Sequence, residues 1–188
     1  MAEHAFGTLM AALDSPLIVV TTADQRERAG CLVEFHVQSS MEPQRYCVWL
    51  SKTNYTYRVA LQASHLVIHF LTGDDLPLAE LFGTQTGDTV DKFAALPVDS
   101  GPGGAPVLRQ CPNWLAVRRI ALLDEGGDHV CLTTEPVAAH TAGPFRPLTT
   151  EALLASRAMT AVPLRERDGN FGVSVSETPG ACRLSGWC

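Results

Sequence analysis

The chain has 188 residues, of which 46% are hydrophobic, and a formal net charge of −6 at pH 7. This length and apolar content suit a single domain with a substantial core. Only 14 residues are lysine or arginine, which argues against binding to nucleic acid or an anionic membrane, because both need clustered positive charge. No transmembrane run or signal-peptide pattern is present in the sequence. We therefore expect a cytoplasmic protein whose partners are small molecules or protein subunits.

The first part of the chain predicts one short helix followed by strands. Phe6, Leu9, Met10 and Leu13 recur at helical intervals, and the Asp-Ser-Pro turn after them ends the helix. Beyond this turn the pattern changes to β-branched and apolar runs that end in Gly, Asp, Pro or Asn. These runs predict strands at 16–22, 30–37, 45–51 and 65–71.

The remainder of the chain continues this alternation of short elements. A helix is predicted to begin near Thr53 or Asn54, either of which can cap it, and another at 76–82. The Gly- and Pro-rich segment 99–106 predicts a loop, and strands are expected at 114–123 and 129–138. Short strands without a βαβ rhythm indicate a mainly β fold with short helices, built as an antiparallel barrel. The N-terminal helix should lie across that barrel.

Cysteines and histidines give little support for a metal site. Cys31, Cys47, Cys111 and Cys131 stand singly in apolar segments without a C-x-x-C pair, so we interpret them as reduced core residues. His65 and His69 have the spacing of a zinc helix but lack its Glu and lie in a predicted strand. We interpret both as strand histidines with ordinary hydrogen bonds, and we expect no metal.

The segment LSKTNYT at 50–56 is the most informative local motif, since a strand ends there and a helix begins among hydroxyls, an amide and a lysine. Free backbone N–H groups, the helix dipole and Lys52 would together favour a phosphate. The same Ser, Thr and Asn residues are also good helix caps, and both interpretations stay open. Motifs for nucleophilic hydrolysis, a Walker loop or a dinucleotide fold are absent from the sequence.

Six segments, in order, resemble the flavin reductase family of FMN-binding split barrels. They are PLIVVTTADQRERAG from Pro16, GCLVEFHVQSSMEP from Gly30, LSKTNYTYRVA from Leu50, HLVIHFL from His65, DKF from Asp91 and GDHV from Gly127. The resemblance implies an antiparallel split β-barrel in a homodimer that binds FMN, or less often FAD. It also implies that NADH or NADPH reduces the bound flavin, and two outcomes stay open: reduced flavin leaves for a partner monooxygenase, or it stays bound and reduces a second substrate in place.

The resemblance also assigns site residues. The isoalloxazine ring and ribityl chain would lie along Val33, Glu34, Phe35, Ser39 and Ser40. The phosphate would be held by Ser51, Lys52, Asn54 and Thr56. Lys92 and Phe93 would close the site, and His129, in the G-D-H turn, would face the flavin or the nicotinamide as the catalytic residue.

The chain departs from the family pattern around the ring. Leu32, Glu34, Phe35 and His36 replace residues that the family commonly has as Thr, Asn or Ser, Ser and Phe, while His69 replaces its strand Asn. A carboxylate accepts hydrogen bonds but donates none, so Glu34 could meet the ring N3–H. Two alternatives follow from this altered pocket: a flavin-binding or carrier protein, and a split barrel that uses a deazaflavin.

The C-terminal part divides the chain into three predicted regions: a flavin reductase-like barrel at 1–148, a covering segment at 149–167 and a flexible tail at 168–188. Thr149 or Thr150 would cap a short helix that covers the flavin site or the dimer seam. In the tail, Cys182 and Cys188 are interpreted as exposed cysteines, with a redox pair near the flavin as the alternative.

Overall fold

A computed structural model describes residues 2–160 of the chain. Four α-helices lie at α1 Ala2–Ala11, α2 Tyr55–Ala60, α3 Leu76–Thr84 and α4 Thr150–Thr160. Nine strands lie at β1 Ile18–Ala23, β2 Arg28–Val33, β3 His36–Met41, β4 Gln44–Ser51, β5 His65–Phe70, β6 Val98–Ser100, β7 Pro106–Leu108, β8 Trp114–Leu123 and β9 His129–His140. The prediction of a mainly β fold with short helices is confirmed. The predicted tail, with Cys182 and Cys188, lies outside the described residues.

Seven strands form one antiparallel sheet in the order β2-β1-β5-β8-β9-β4-β3. The sheet curves around an apolar cluster to which β1, β2, β4, β5, β8 and β9 all contribute, and its two edge strands do not pair with each other. The fold is therefore the antiparallel split barrel that the sequence predicts.

The prediction of one continuous strand at 30–37 is wrong, because the chain changes its neighbouring strand within this segment. Val33 ends β2 opposite Ile18, and His36 begins β3 opposite Val48. Glu34 and Phe35 therefore carry the chain from one edge of the sheet to the other. The run 30–37 is interrupted only by Glu34 and His36, and hydrophobic periodicity reports the buried face and not the neighbouring strand.

Two further predictions need correction. The N-terminal helix forms, but none of its residues is buried, and Phe6 and Leu9 are each 63% exposed. It therefore does not lie across the barrel as expected. The segment 99–106 is not a plain loop, since β6 and β7 pair there around a short 3₁₀ turn at Pro102–Gly104. Strands of three residues are too short to show periodicity in a Gly- and Pro-rich sequence.

A second apolar cluster lies on the outer side of β1 and β2, under α3 and α4. It includes Val19 and Leu32 from the strands, Phe82 from α3 and Leu153 from α4. Helix α4, which begins the predicted covering segment, thus packs against the outer side of the barrel. Within the part of the chain that the structure describes, no helix has the length and apolar content to span a membrane.

The strand histidine His69 has the ordinary hydrogen bonds predicted for it. It is completely buried, with Nδ1 3.2 Å from the carbonyl oxygen of Val19 and Nε2 accepting the amide of Leu108 at 3.0 Å. These partners fix the tautomer with the proton on Nδ1. Burial lowers the pKa of His69 to about 4, so the ring is neutral in the folded protein at pH 7.

The four cysteines of the barrel are free and buried, as predicted. Cys31 and Cys111 belong to the two apolar clusters. Burial raises the pKa of Cys111 to about 12 and that of Cys131 to about 11. These thiols are therefore protonated at neutral pH and poorly reactive.

Candidate functional site

Two of the predicted site residues, Ser51 and His129, lie side by side on the outward side of β4 and β9. In register, Trp49 lies opposite Cys131, and Cys131 lies opposite Leu123 on β8. The neighbouring row, which includes Val48 and Leu132, points into the barrel, so the Trp49 row points out. Two residues further on, Ser51 pairs with His129 on this same outward side. We call the surface formed by the outward residues of β3, β4, β9 and the end of β8, together with Phe35 before β3 and Lys52 after β4, the open face.

Phe35 and His129 form the aromatic centre of the open face. Their ring centroids are 5.2 Å apart in an edge-to-face arrangement, and Phe35 is 51% exposed. The amide of Trp49 donates to the carbonyl oxygen of Phe35 at 2.9 Å, which holds the β2–β3 junction against β4. Sequence segments about a hundred residues apart thus meet at one point of the sheet.

His129 has one occupied and one unoccupied ring nitrogen. Nδ1 lies 2.9 Å from Oδ1 of Asp128, whereas Nε2 is buried and has no hydrogen-bond partner among the described residues. The imidazole beside Asp128 lowers the pKa of that carboxyl group. A buried polar atom without a partner is costly, so Nε2 marks a place where a polar group of a ligand would fit.

Lys52 is tied to the turn between β8 and β9. Its Nζ donates to Oδ1 of Asp124 at 2.8 Å, and its backbone amide donates to the carbonyl oxygen of Asp128 at 2.9 Å. The same Oδ1 of Asp124 accepts the amide of Gly126 at 2.8 Å. Hydrogen bonding from Lys52, followed by that from Gly126, lowers the pKa of Asp124. The only cation of the predicted phosphate-binding segment therefore already has an anionic partner.

At the start of α2, the helix-capping interpretation is confirmed for Asn54. Its side chain accepts the amide of Thr56 at 2.8 Å, and the Ser51 and Thr53 hydroxyls lie 3.0 Å apart. Thr56 is buried. The amides of Lys52 and Asn54 also have partners. The groups best placed to meet an anion are thus the ammonium of Lys52 and the exposed hydroxyl of Thr53.

The remaining ring and ribityl residues differ in how much they present to a ligand. Val33 is fully buried, so only its backbone could contact a flavin. Glu34 is half-buried at the β2–β3 junction. Ser39 is exposed on β3 and its Oγ accepts the Cys47 thiol at 3.2 Å, while Ser40 is half-buried.

Lys92 and Phe93 lie on the other side of β2. The Lys92 ammonium donates to the carbonyl oxygens of Gly30 and Phe82 at 2.9 and 3.2 Å. The Phe93 ring packs edge-to-face on Phe82 with centroids 5.5 Å apart. Both residues line a cleft of about 340 Å³ that also includes Tyr55. Their predicted part in closing a flavin site stays a prediction.

Sequence reasoning missed Asp124 and Trp49 as neighbours of the site. In the sequence, Asp124 lies between the strands predicted at 114–123 and 129–138, and nothing there indicates that this turn reaches Lys52. Trp49 was assigned only to a strand. The alternation of buried residues along β4 could have placed Trp49 on the same face as Ser51.

The model of the "Flavin reductase like domain" family matches residues 10–163, which is most of the chain. The chain belongs to the flavin reductase like domain family. The resemblance seen in the sequence motifs is thereby confirmed.

Individual relatives of this flavin reductase like domain are distant in sequence. The chain is 26% identical over 142 residues to the stachydrine N-demethylase reductase subunit Stc3 of Rhizobium meliloti, covering 75% of this chain and 58% of that protein. It therefore spans less than two thirds of that relative's length.

Solved structures share the fold. A flavin reductase domain protein from Arthrobacter sp. FB24 has a TM-score of 0.71 at 18% identity, covering 80% of this chain and 91% of the other. The flavin reductase HpaC, solved with NADP+, has a TM-score of 0.69 at 19% identity, covering 81% and 95%.

The residues of the open face fit a flavin. The ring system needs an apolar surface with a few polar contacts, and the phosphate needs a cation. Phe35 and Trp49 would provide the apolar surface, the buried Nε2 of His129 would provide a polar contact, and Lys52 would provide the cation.

Proposed function

We propose that the protein is an oxidoreductase of the flavin reductase type, which binds FMN and uses NADH or NADPH to reduce it. The observation that carries this proposal is the meeting of three distant segments on the open face. Phe35 comes from the β2–β3 junction, Ser51 ends β4 and Lys52 follows it, and His129 begins β9. These segments are ones that the family resemblance assigns to the flavin, and the family match supports them.

In this proposal each group of residues has a separate task. Lys52 and Thr53 hold the phosphate, with Ser51 and Asn54 shaping the turn that positions them. Phe35 offers its exposed ring to the isoalloxazine, and Ser39 and Ser40 face the ribityl chain. Glu34 accepts a hydrogen bond from the ring system, because an ionised carboxylate has only acceptor oxygens.

His129 is the proposed catalytic residue. Asp128 holds the ring through Nδ1, which leaves Nε2 directed at the flavin or the nicotinamide. When bound, the flavin supplies the redox chemistry by taking a hydride from the nicotinamide. The protein then has to bind and orient the flavin and the nicotinamide and to exclude water from them. No side chain is required to act as a nucleophile or base.

Named properties of similar proteins support the choice of co-substrates. HpaC was solved with NADP+, and a Streptomyces globisporus protein with a TM-score of 0.64 is named an NADH:FAD oxidoreductase. FAD is accordingly the second candidate flavin. The name of Stc3 as a reductase subunit of a demethylase supports transfer of electrons to a partner enzyme, for which we propose a monooxygenase.

We further propose that the protein acts as a homodimer in the cytoplasm. The open face carries half-exposed apolar residues, including Phe35, Val37 at 50% and Leu123 at 53%. Contiguous exposed apolar side chains commonly mark an interface, and closed twofold dimers are the commonest assembly. A second copy packed there would also cover a flavin that lies on this surface.

The direct test is a fluorescence titration of the purified protein with FMN, FAD and riboflavin, followed by anaerobic addition of NADH or NADPH. We expect FMN to bind and its absorbance to bleach with one of the two nucleotides. Binding without bleaching would favour the flavin-carrier alternative. Failure of all three flavins, with binding of a deazaflavin, would favour the split barrel with that cofactor.

The phosphate assignment is tested by Lys52→Met. This change should weaken FMN by roughly tenfold, the value of one charge-assisted contact of about 1.5 kcal/mol, and should leave riboflavin nearly unaffected. Arg58→Met is the matched control, because Arg58 is an exposed cation at the other end of α2. Equal losses for FMN and riboflavin would disprove the assignment.

A further inference from the structure

Asp124, in the turn between β8 and β9, forms an ion pair with Lys52. Lys52 is the cation that the proposed function assigns to the phosphate. Lys52 Nζ and Asp124 Oδ1 are 2.8 Å apart, with side chains 33% and 43% exposed. The pair is therefore accessible to a ligand that approaches from solvent. A phosphate that approaches Lys52 therefore finds the ammonium already paired with the Asp124 carboxylate.

Asp124 is held in position by its own turn. Its Oδ1 accepts the Gly126 amide at 2.8 Å, and Gly126 has a φ of 86°, a conformation that glycine adopts easily. The carboxylate thus keeps its place when Lys52 moves away. Little side-chain entropy is lost when the ion pair forms again, since one partner is already ordered.

The charges around Lys52 favour the carboxylate over a second anion. Asp124, Glu125 and Asp128 all belong to this short turn, and Lys52 also interacts with Asp128. A phosphate monoester brings a charge of about −1.5 to −2 at pH 7. The phosphate must either displace Asp124 or share Lys52 with it, and both outcomes cost binding free energy.

We propose that Asp124 competes with the flavin phosphate for Lys52 and thereby makes bound FMN easy to release. As the phosphate leaves, the carboxylate takes its place on the ammonium, so the cation is never left without a partner. This inference rests on the proposed function and adds to it a carboxylate of this chain that competes with the phosphate for its cation.

The test compares Asp124→Asn with Glu125→Gln. Asparagine keeps an oxygen that can accept the Gly126 amide but removes the charge. Glu125→Gln removes the same charge from the same turn, and Glu125 has no ion pair with Lys52 among the described residues. FMN and riboflavin affinities, together with stopped-flow release of FMN, are measured for the wild type and both variants.

We expect Asp124→Asn to bind FMN about three- to fivefold more tightly, the range that corresponds to an exposed ion pair of up to about 1 kcal/mol. FMN release should slow by a similar factor, whereas riboflavin should change less than twofold. Glu125→Gln should leave the FMN-to-riboflavin ratio nearly unchanged.

Unchanged or weaker FMN binding by Asp124→Asn would overturn the inference, as would an equal gain with Glu125→Gln. These outcomes are distinct from failure of the proposed function. If the wild type binds no flavin, the proposed function fails. If the wild type binds FMN no more tightly than riboflavin, and Lys52→Met changes neither affinity, the phosphate assignment fails. This inference then fails with it.

Discussion

At the scale of single residues, the titration of His69 makes the stability of the barrel depend on pH. Its pKa is lowered to about 4 by burial, against 6.5 for an ordinary histidine. The unfolded chain therefore binds a proton more readily than the folded one, and the free energy of unfolding must fall as the pH falls below about 6.5. His36, whose pKa burial also lowers, acts in the same direction.

We predict that the free energy of unfolding falls by about 2 kcal/mol between pH ~7.5 and pH ~5, through the titration of His69 alone. Urea denaturation at the two pH values measures it. His69→Gln, which cannot titrate, should lower the stability at the higher pH but flatten the dependence on pH. The carboxyl groups with lowered pKa values, such as Asp91, act only below about pH 4. A variant with the same pH dependence as the wild type would contradict the assignment.

Phe35 is one of the positions at which the chain departs from the family pattern. Because its side chain is half exposed, a substitution there tests flavin binding with little effect on the stability of the fold. Phe35→Ser should weaken FMN and riboflavin alike by roughly two- to tenfold, the value of one aromatic contact. The unfolding free energy should change little, because half of the side chain is exposed. Val37→Ser is the control, since Val37 is 50% exposed on the same face. Equal effects of both substitutions on flavin binding would contradict a specific role for Phe35.

The sequence indicated residues of the candidate site, but it did not indicate the groups that those residues contact. Lys52, His129 and Phe35 came from motif resemblance, and the structure brings them to one surface. Asp124 and the free Nε2 of His129 could not be predicted, because both depend on how the β8–β9 turn meets the end of β4. Long-range register of this kind is not encoded in local periodicity.

At the scale of elements, Lys92 joins the segment after α3 to β2. Its ammonium is buried and bonds the carbonyl oxygens of Gly30 and Phe82. We predict that Lys92→Met lowers the unfolding free energy by about 1–3 kcal/mol, because both carbonyls lose a buried donor. Denaturation of the flavin-free protein measures this loss.

Arg28→Met is the comparison for Lys92. Arg28 contacts the same segment through Asp91 at 2.9 Å, but both side chains are largely exposed, so we expect a loss below about 1 kcal/mol. If Lys92→Met instead kept full stability and lost only flavin binding, its role would be at the site and not in the scaffold.

Element boundaries were predictable where a cap or turn marked them. Asn54 marks the start of α2, and the strand at 114–123 coincides with β8. The change of partner strand at Glu34 and the short β6–β7 hairpin carry no such mark. Both are decided by which strands lie next to each other in the folded protein, which depends on the whole chain.

At the scale of the whole molecule, two exposed apolar surfaces compete as the interface of the proposed dimer. One is helix α1, with Leu9 63% exposed, and the other is the open face, with Leu123 53% exposed. We favour the open face, because it is continuous with the candidate site and β8 and β9 present it on a rigid, fully paired sheet. Helix α1 contributes no residue to that site.

The two surfaces are distinguished by Leu123→Arg and Leu9→Arg, which introduce the same charge at similarly exposed positions. An unpaired charge buried at an interface is strongly unfavourable. We therefore expect Leu123→Arg to shift the protein to monomers in analytical ultracentrifugation and to weaken FMN, since the flavin loses the cover of the second copy. Leu9→Arg should leave both unchanged. A monomeric Leu9→Arg with a dimeric Leu123→Arg would place the interface on α1 and would leave the flavin on an uncovered sheet.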